Sequence, residues 1–303
     1  MTRASGGAPP VHRLHKLQAT GNDFLVCDPS ETGASPAAFS APVAAALCDR
    51  RFGIGADGLI VVGPPREPGG DVTMTLRNAD GGTAEMSGNG VRALAWVAHR
   101  RGYGDGTRVV VETAAGRRVV DLQVDAAREE VVAARVGMGA VTFDPEAIPV
   151  EAKSPFDLEA TVSGTTYRGD AAGMGNPHLV LLVDDPAAVP VGEHGPALEI
   201  DERFPRRTNV EFVAPVPAAA GVLGMRVWER GVGETLSCGT GACAAAAVAH
   251  RRGLVGAQVA VRVWGGELTV DLSDPSEVRL GGPVVHVFET TVNLERFGAG
   301  EGP

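Results

Sequence analysis

Two short stretches carry the residue types best suited to chemistry. EMSGNG (Glu85 to Gly90) and TLSCGTG (Thr235 to Gly241) share one shape, with Ser87 in the first where Cys238 stands in the second. Each is followed by an alanine-rich segment with helical character, so each is expected at a helix start. There the free backbone N–H groups and the positive end of the helix dipole collect. Glycines let that backbone approach a bound group closely, and such a place takes a carboxylate or phosphate readily. A thiol there is expected to ionise below its usual value of about 8.5. Two such starts facing one another would grip one carboxylate from both sides and set an acid/base group on each face of the adjoining carbon. Racemisation at an amino-acid Cα needs that arrangement. A weakly acidic proton leaves one face and another arrives at the opposite face, without a cofactor, while the charge that builds on the carboxylate meets N–H donors.

The elements that must position these residues follow from an internal repeat. At an offset of 151 residues Met74 falls on Met225, Ser87 on Cys238, Gly88 on Gly239, Asn89 on Thr240 and Gly90 on Gly241. The run continues without a gap to AHRRG at Ala98 to Gly102, which falls on AHRRG at Ala249 to Gly253. Each copy reads as an alternating strand (DVTMTLRN; GVLGMRVWE), a Gly-rich turn, and a helix (VRALAWVAHRR; ACAAAAVAHRR) that closes at a glycine suited to the C′ position. Further strands follow in each copy. The helices are apolar nearly all round, which fits burial. His99 and His250 are expected to help cap the last helical turns. Together these signals predict an α+β fold of two pseudo-symmetric lobes, each a strongly curved β-sheet around a central helix, with a cleft between them. The expected boundaries are a disordered lead over 1–10, an N-terminal lobe over 11–133 completed by a strand from about 285–297, and a C-terminal lobe over 134–284.

Composition narrows the classes. The 303 residues carry a net charge of −10 with 44% hydrophobic residues, which is ordinary for a globular protein and argues against nucleic acid as a partner. No apolar run reaches the roughly 18 residues of a membrane span. MTRASGGAPP has no apolar core of a signal peptide and FGAGEGP reads as a loose tail, so a cytoplasmic location is expected. The four cysteines, Cys27, Cys48, Cys238 and Cys243, match no zinc spacing, and no metal is expected. Lys16 and Lys153 are the only lysines. Neither has the setting of a Schiff-base lysine, so amino-acid chemistry here is expected to need no pyridoxal phosphate or other cofactor.

The motifs in order resemble the diaminopimelate epimerase family: TGNDF (Thr20 to Phe24), RRFGIGADG (Arg50 to Gly58), RNADG (Arg77 to Gly81), MGNPH (Met174 to His178), TNVEF (Thr208 to Phe212) and WERGVGETLSCGTGACAAA from Trp228. The resemblance runs from about Val11 to Phe297. It implies cofactor-independent interconversion of LL- and meso-diaminopimelate for lysine and peptidoglycan synthesis, by a homodimer of two-lobed chains. It implies that Cys238 is one of two acid/base groups and that Ser87 stands where the family carries the other as cysteine. It further implies that Gly88, Asn89, Gly239 and Thr240 hold the reacting carboxylate with backbone amides. Asn22, Asn78, Asn176 and Asn209 match substrate-binding asparagines. Glu229 and Arg230 match the pair that reads the distal end, and His178 and Glu229 the polar neighbours of the two bases. An Arg suits a distal carboxylate, and asparagines supply donors and acceptors to a zwitterion.

Blander roles stand beside these. Cys27, Cys48 and Cys243 suit core packing, Asn22 and Asn209 suit turns or caps, His178 suits a structural turn, and Arg230 suits a surface ion pair. Ser87 is the departure, because a hydroxyl cannot rest as an anion near neutral pH. It admits an epimerase in which Ser87 relays a proton directly or through water, and a binding protein that has lost turnover. It also admits a one-base relative resembling hydroxyproline dehydratases. Epimerisation is the reading adopted, because Asn78, Asn209, Glu229 and Arg230 form a distal-end set.

Overall fold

The structure, a computed structural model, describes residues 11–84 and 86–298. The expected disordered lead over 1–10, Glu85 and the end of the FGAGEGP tail lie outside the described residues. The chain divides into two units. The first takes the chain up to Ala19, then Asp23–Val132 and the chain from Val284; the second takes Thr20–Asn22 and Ala133–Pro283.

In the first unit the order is β1 (His12–Ala19), β2 (Asn22–Cys27), α1 (Ala41–Cys48), β3 (Gly58–Gly63), β4 (Val72–Asn78), β5 (Thr83–Ala84), α2 (Gly88–Arg100), β6 (Arg108–Thr113), β7 (Gly116–Asp125) and β8 (Glu130–Gly139), which passes into the second unit. The second unit adds β9 (Leu158–Val162), β10 (Thr165–Gly173), β11 (Pro177–Leu182), α3 (Val191–Glu199), β12 (Asn209–Pro215), β13 (Val222–Glu229), β14 (Gly233–Thr235), α4 (Gly239–Arg251), β15 (Gln258–Val263), β16 (Gly266–Asp271) and β17 (Val278–Pro283). The first unit is then completed by β18 (Val285–Val292), antiparallel to β1, and the short α5 (Glu295–Gly298).

The two units repeat one sheet pattern. In the first, β2 runs parallel to β3, β3 antiparallel to β4, β4 parallel to β6, and β6 antiparallel to β7. In the second, β11, β12, β13, β15 and β16 repeat those senses in the same sequence. β12 is buried from Asn209 through Ala214, as a strand with a parallel neighbour and covered faces should be.

Each unit packs its long helix inside its own strands. α2 touches β1, β3, β4, β6 and β7; α4 touches β10 to β13 and β15 to β17. That is why α2 is buried from Gly88 to Ala98 and α4 is buried at every residue from Gly241 to Ala249. The run Ala244–Ala247 suits this place, since alanine has the best helix propensity and a small side chain. Both helices close at glycines in the left-handed region, Gly102 (φ 74°) and Gly253 (φ 72°). Neither histidine caps its helix's last turn as expected, since the His250 ring reaches a carbonyl beyond the helix. His250 Nδ1 lies 3.1 Å from the Val255 carbonyl, whereas His99 Nδ1 is buried with no hydrogen-bond partner among the described residues. The smaller helices fill the outer cores. α1 packs with Leu14, Leu25, Phe39 and Leu59, and α3 with Tyr167, Leu179, Phe204 and Phe212.

Candidate functional site

In the second unit the chemistry gathers at the start of α4. Cys238 is the residue before the first turn, with extended backbone (φ −121°, ψ 114°), and is 5% exposed. Its sulfur lies 3.5 Å from Thr240 Oγ1, which also receives Asn176 Nδ2 at 3.5 Å. Asn176 Oδ1 meets His178 Nε2 at 2.9 Å, and His178 Nδ1 meets Glu211 Oε1 at 2.7 Å. His178 therefore reaches Cys238 only through Asn176 and Thr240. On another side, Glu229 accepts a hydrogen bond from Thr235 Oγ1 at 2.5 Å and lies within hydrogen-bonding reach of the Cys238 thiol.

Burial is the largest influence on that thiol and pushes its pKa well above the ordinary range. Glu229 and Glu211 push the same way, against the Thr240 hydroxyl and the Gly241 N–H, which favour the anion. The expectation that the helix start lowers it is thus corrected: lost hydration and two carboxylates outweigh the N–H groups. Glu229 is raised as well, by burial first, against its bonds from Thr235 and Cys238. Burial thus works against the charged form of both neighbours, the Cys238 thiol and the Glu229 carboxyl.

Asn209 is buried, with both ends of its amide engaged. Nδ2 donates to the Pro177 carbonyl at 2.8 Å, and Oδ1 accepts from the Arg230 N–H at 3.0 Å. It ties β11 to the Glu229–Arg230 turn. Glu199, from α3, holds that turn from another side, accepting from Trp228 Nε1 at 2.7 Å and Gly231 N at 3.0 Å. The Arg230 guanidinium donates to the Arg206 carbonyl at 3.1 Å. Asn22 follows the turn at Thr20 and Gly21, both at positive φ. A side chain at Gly21 would meet Leu236 at 2.9 Å, so this turn packs beside the TLSCG segment.

In the first unit Ser87 takes the matching place at the start of α2, again extended (φ −139°, ψ 122°), and its Oγ accepts from Gly90 N at 3.1 Å. Gly88 and Asn89 form the first turn, and Asn89 Oδ1 accepts from Arg92 Nη2 at 2.9 Å, both side chains buried. Asn78 ends β4 and is exposed; its backbone closes the turn to Gly82 at 2.8 Å. Two motifs that carried the family resemblance meet here in a charged brace. Arg50 donates to both Asp23 and Asp57, and Lys16 pairs with Asp23. Burial works to raise Asp23, but the bonds from Arg50 and Lys16 win and hold it at about 2.

The other cysteines sit where packing puts them. Cys27 and Cys48 belong to the core beside α1, and burial raises both thiols, Cys48 to about 11. Cys243 is fully buried within α4. Lys16 is engaged by Asp23 and the Gly55 carbonyl, outside both helix starts. Among the described residues no group of three or more His, Cys, Asp or Glu side chains is placed to hold a metal ion. No helix is long and apolar enough to cross a membrane. Sequence reasoning missed Glu211 and Glu199. The signal for Glu211 was present as a lone acid in the otherwise buried run NVEFVA, since a fully buried carboxylate is rare unless paired.

Two like units, each built around a buried helix that starts at a Ser or Cys, define an α+β fold class that solved structures share. It superposes on a hydroxyproline epimerase from Agrobacterium vitis (TM-score 0.69, 19% identity, 93% of this chain and 92% of that one). It also superposes on a probable proline racemase from Agrobacterium radiobacter (TM-score 0.68, 17% identity, 95% and 94%). Within that class, the sequence matches the diaminopimelate epimerase family over residues 14–143 and 171–287. It is 40% identical over 275 residues to the diaminopimelate epimerase of Pelotomaculum thermopropionicum (90% of this chain, 96% of the relative). Against that of Moorella thermoacetica it is 41% identical over 283 residues (92% and 99%). The chain belongs to the diaminopimelate epimerase family.

Proposed function

We propose that this protein epimerises 2,6-diaminopimelate between its LL and meso forms without a cofactor, as a cytoplasmic homodimer serving lysine and peptidoglycan precursor synthesis. The observation that carries the reading is Cys238 at the start of α4 with Glu229, from the end of β13, beside it, in a chain 40% identical over 275 residues to a named diaminopimelate epimerase.

Cys238 is the acid/base group on one face of Cα. Binding the zwitterion brings an ammonium group whose charge favours the thiolate, and the thiol proton passes to Glu229. The thiolate then takes the Cα proton. The reacting carboxylate is held by the backbone N–H groups of Gly88, Asn89, Gly239 and Thr240, which meet the charge as it builds. Asn22, Asn78, Asn176, Asn209, Glu229 and Arg230 bind the two amino-acid ends, and His178 assists. Ser87 serves the opposite face. Its Oγ accepts from Gly90 N, which leaves its O–H proton to donate to the carbanion. Water returns a proton to Ser87, and the hydroxide this leaves takes, through solvent, the proton held by Glu229, so thiol, hydroxyl and carboxylate are all restored. For the homodimer, the support is β18, where Val285, Val287 and Phe288 are exposed at 46%, 54% and 42%; exposed apolar groups clustered on one strand mark an association surface.

The same capping bond at Ser87 favours a second reading, in which Cys238 works alone and exchanges the Cα proton without inverting the centre. Cα exchange in D₂O separates the two. LL- and meso-diaminopimelate are supplied separately, deuterium and isomer ratio are followed, and Ser87→Cys is run beside the natural protein. Exchange with inversion supports the two-face reading; exchange with retention supports the one-base reading. Activity in Ser87→Cys alone makes serine the sole lesion. No exchange in either form removes the epimerase assignment.

A further inference from the structure

Behind the Cys238 helix start lies a carboxylate that the reaction above does not use. Glu211 sits in the middle of β12 with no solvent exposure. Its Oε1 meets His178 Nδ1 at 2.7 Å, while its Oε2 is buried with no hydrogen-bond partner among the described residues. Burying a charge this deeply is costly even when it is paired, so a residue chosen for the fold alone would be apolar.

The first unit shows that an apolar residue suffices there. Its matching position is Ile60. Val26, Ile60 and Leu76 lie side by side across β2, β3 and β4, as Val180, Glu211 and Val227 lie across β11, β12 and β13. Two residues earlier on the first of those strands, Phe24 stands where His178 stands in the second unit. One half of the molecule thus fills this place with Phe24 and Ile60, and the other with an imidazole and a carboxylate. A side chain at Gly90 would meet Ile60 Cδ1 at 3.2 Å; one at Gly241 would meet Glu211 Oε1 at 2.6 Å. Glu211 presses on the first turn of α4, beside Cys238.

Its partners lead to the thiol. His178 Nε2 faces Asn176 Oδ1, so the ring has an acceptor on each side. Asn176 Nδ2 is thereby turned to Thr240 Oγ1, which lies 3.5 Å from the Cys238 sulfur. We propose that Glu211 is a positioning residue for this reaction: through His178 it fixes Asn176 and Thr240 beside Cys238, so that the thiol meets Cα in one orientation. This rests on the reading of Cys238 as the acid/base group.

The test uses two variants of the full chain. Glu211→Gln keeps an acceptor for His178 and removes the charge. The double variant Glu211→Ile with His178→Phe installs the residue types the first unit carries at these places, so it should fold even where the single variant does not. Folding is checked by thermal melts. Steady-state Cα exchange gives kcat and KM, and iodoacetamide alkylation of Cys238 across pH reads the thiol. The titratable groups around that sulfur are Glu229 from β13, Glu211 from β12 and His178 from β11. In folded variants kcat is expected to fall roughly 10- to 100-fold, as when a supporting partner behind a site residue is lost, with KM changed little. The Glu211→Gln alkylation profile is expected to move to lower pH, because one carboxylate no longer opposes the thiolate. Wild-type kcat, KM and alkylation profile in the folded variants would overturn the proposal. Absence of exchange in the wild-type protein would instead overturn the epimerase reading, and the alkylation profile would still decide whether Glu211 acts on Cys238.

Discussion

The starts of α2 and α4 are one motif in two chemical settings. Both place a small polar residue with extended backbone before a Gly-rich first turn, and both lead into a buried helix of 13 residues. Around Ser87 the neighbours of that turn are Ile60, Met74 and the Asn89–Arg92 bond. Around Cys238 they are Glu211, Glu229, Thr240, Asn176 and His178. A helix start alone therefore does not set the acidity of the residue it carries. The same backbone serves a capping hydroxyl in one half and, in the other, a thiol that burial and two carboxylates keep protonated.

The largest expected difference is in turnover. Cys238→Ala should lower Cα exchange by about 10² to 10⁴-fold, the usual worth of a placed acid/base group. Ser87→Ala should cost less, because a hydroxyl is no resting base and water can take its part. Mass spectrometry of deuterium incorporation reads both, and the comparison breaks if Ser87→Ala proves the more damaging.

A smaller contrast concerns packing. A methyl group added at Gly241 would stand 2.6 Å from Glu211 Oε1 and 3.3 Å from the Cys238 sulfur. One added at Gly90 would first meet the tips of Ile60 and Met74 and the Ser87 Cβ, each at 3.2 Å. Gly241→Ala is expected to lose about 1–3 kcal/mol, as overpacked sites do; Gly90→Ala should lose less, since Ile60 and Met74 can shift. Denaturant melts measure both, and equal losses would mean that the two starts are not packed differently.

The smallest effect extends the comparison to the units themselves. In the first, Trp96 and His286 stack at 4.4 Å, and the His15 ring lies tilted against both, with centroids 5.7 and 5.6 Å away. Burial, then the neighbouring His286, lowers His15 from 6.5 to about 4. The unfolded chain thus binds a proton near pH 6.5 that the folded chain refuses until about pH 4, so stability drops as pH falls through that window. Hydrogen exchange should show β1 and β18 losing protection before α4 as pH is lowered from 6.5 to 4. Loss in the reverse order would contradict this assignment.

Much of the local structure was legible because it is local. The shared AHRRG and Gly-x-Gly signals located both helices, and Gly102 and Gly253 stop them through backbone freedom that the next residues require. Asn209 was harder. As a residue type it suited binding or capping alike, and its amide is committed to Pro177 and the Arg230 backbone. Glu199 gave no signal at all, since its partners Trp228 and Gly231 lie on a different strand and turn.

The residues by themselves determined the repeat, the two helix starts, the family, and which start bears sulfur, because each of these depends on residue type and spacing along the chain. Only the tertiary structure decided what surrounds that sulfur. β12 and β13 bring Glu211 and Glu229 beside one buried thiol, and the loss of water there makes their charges count.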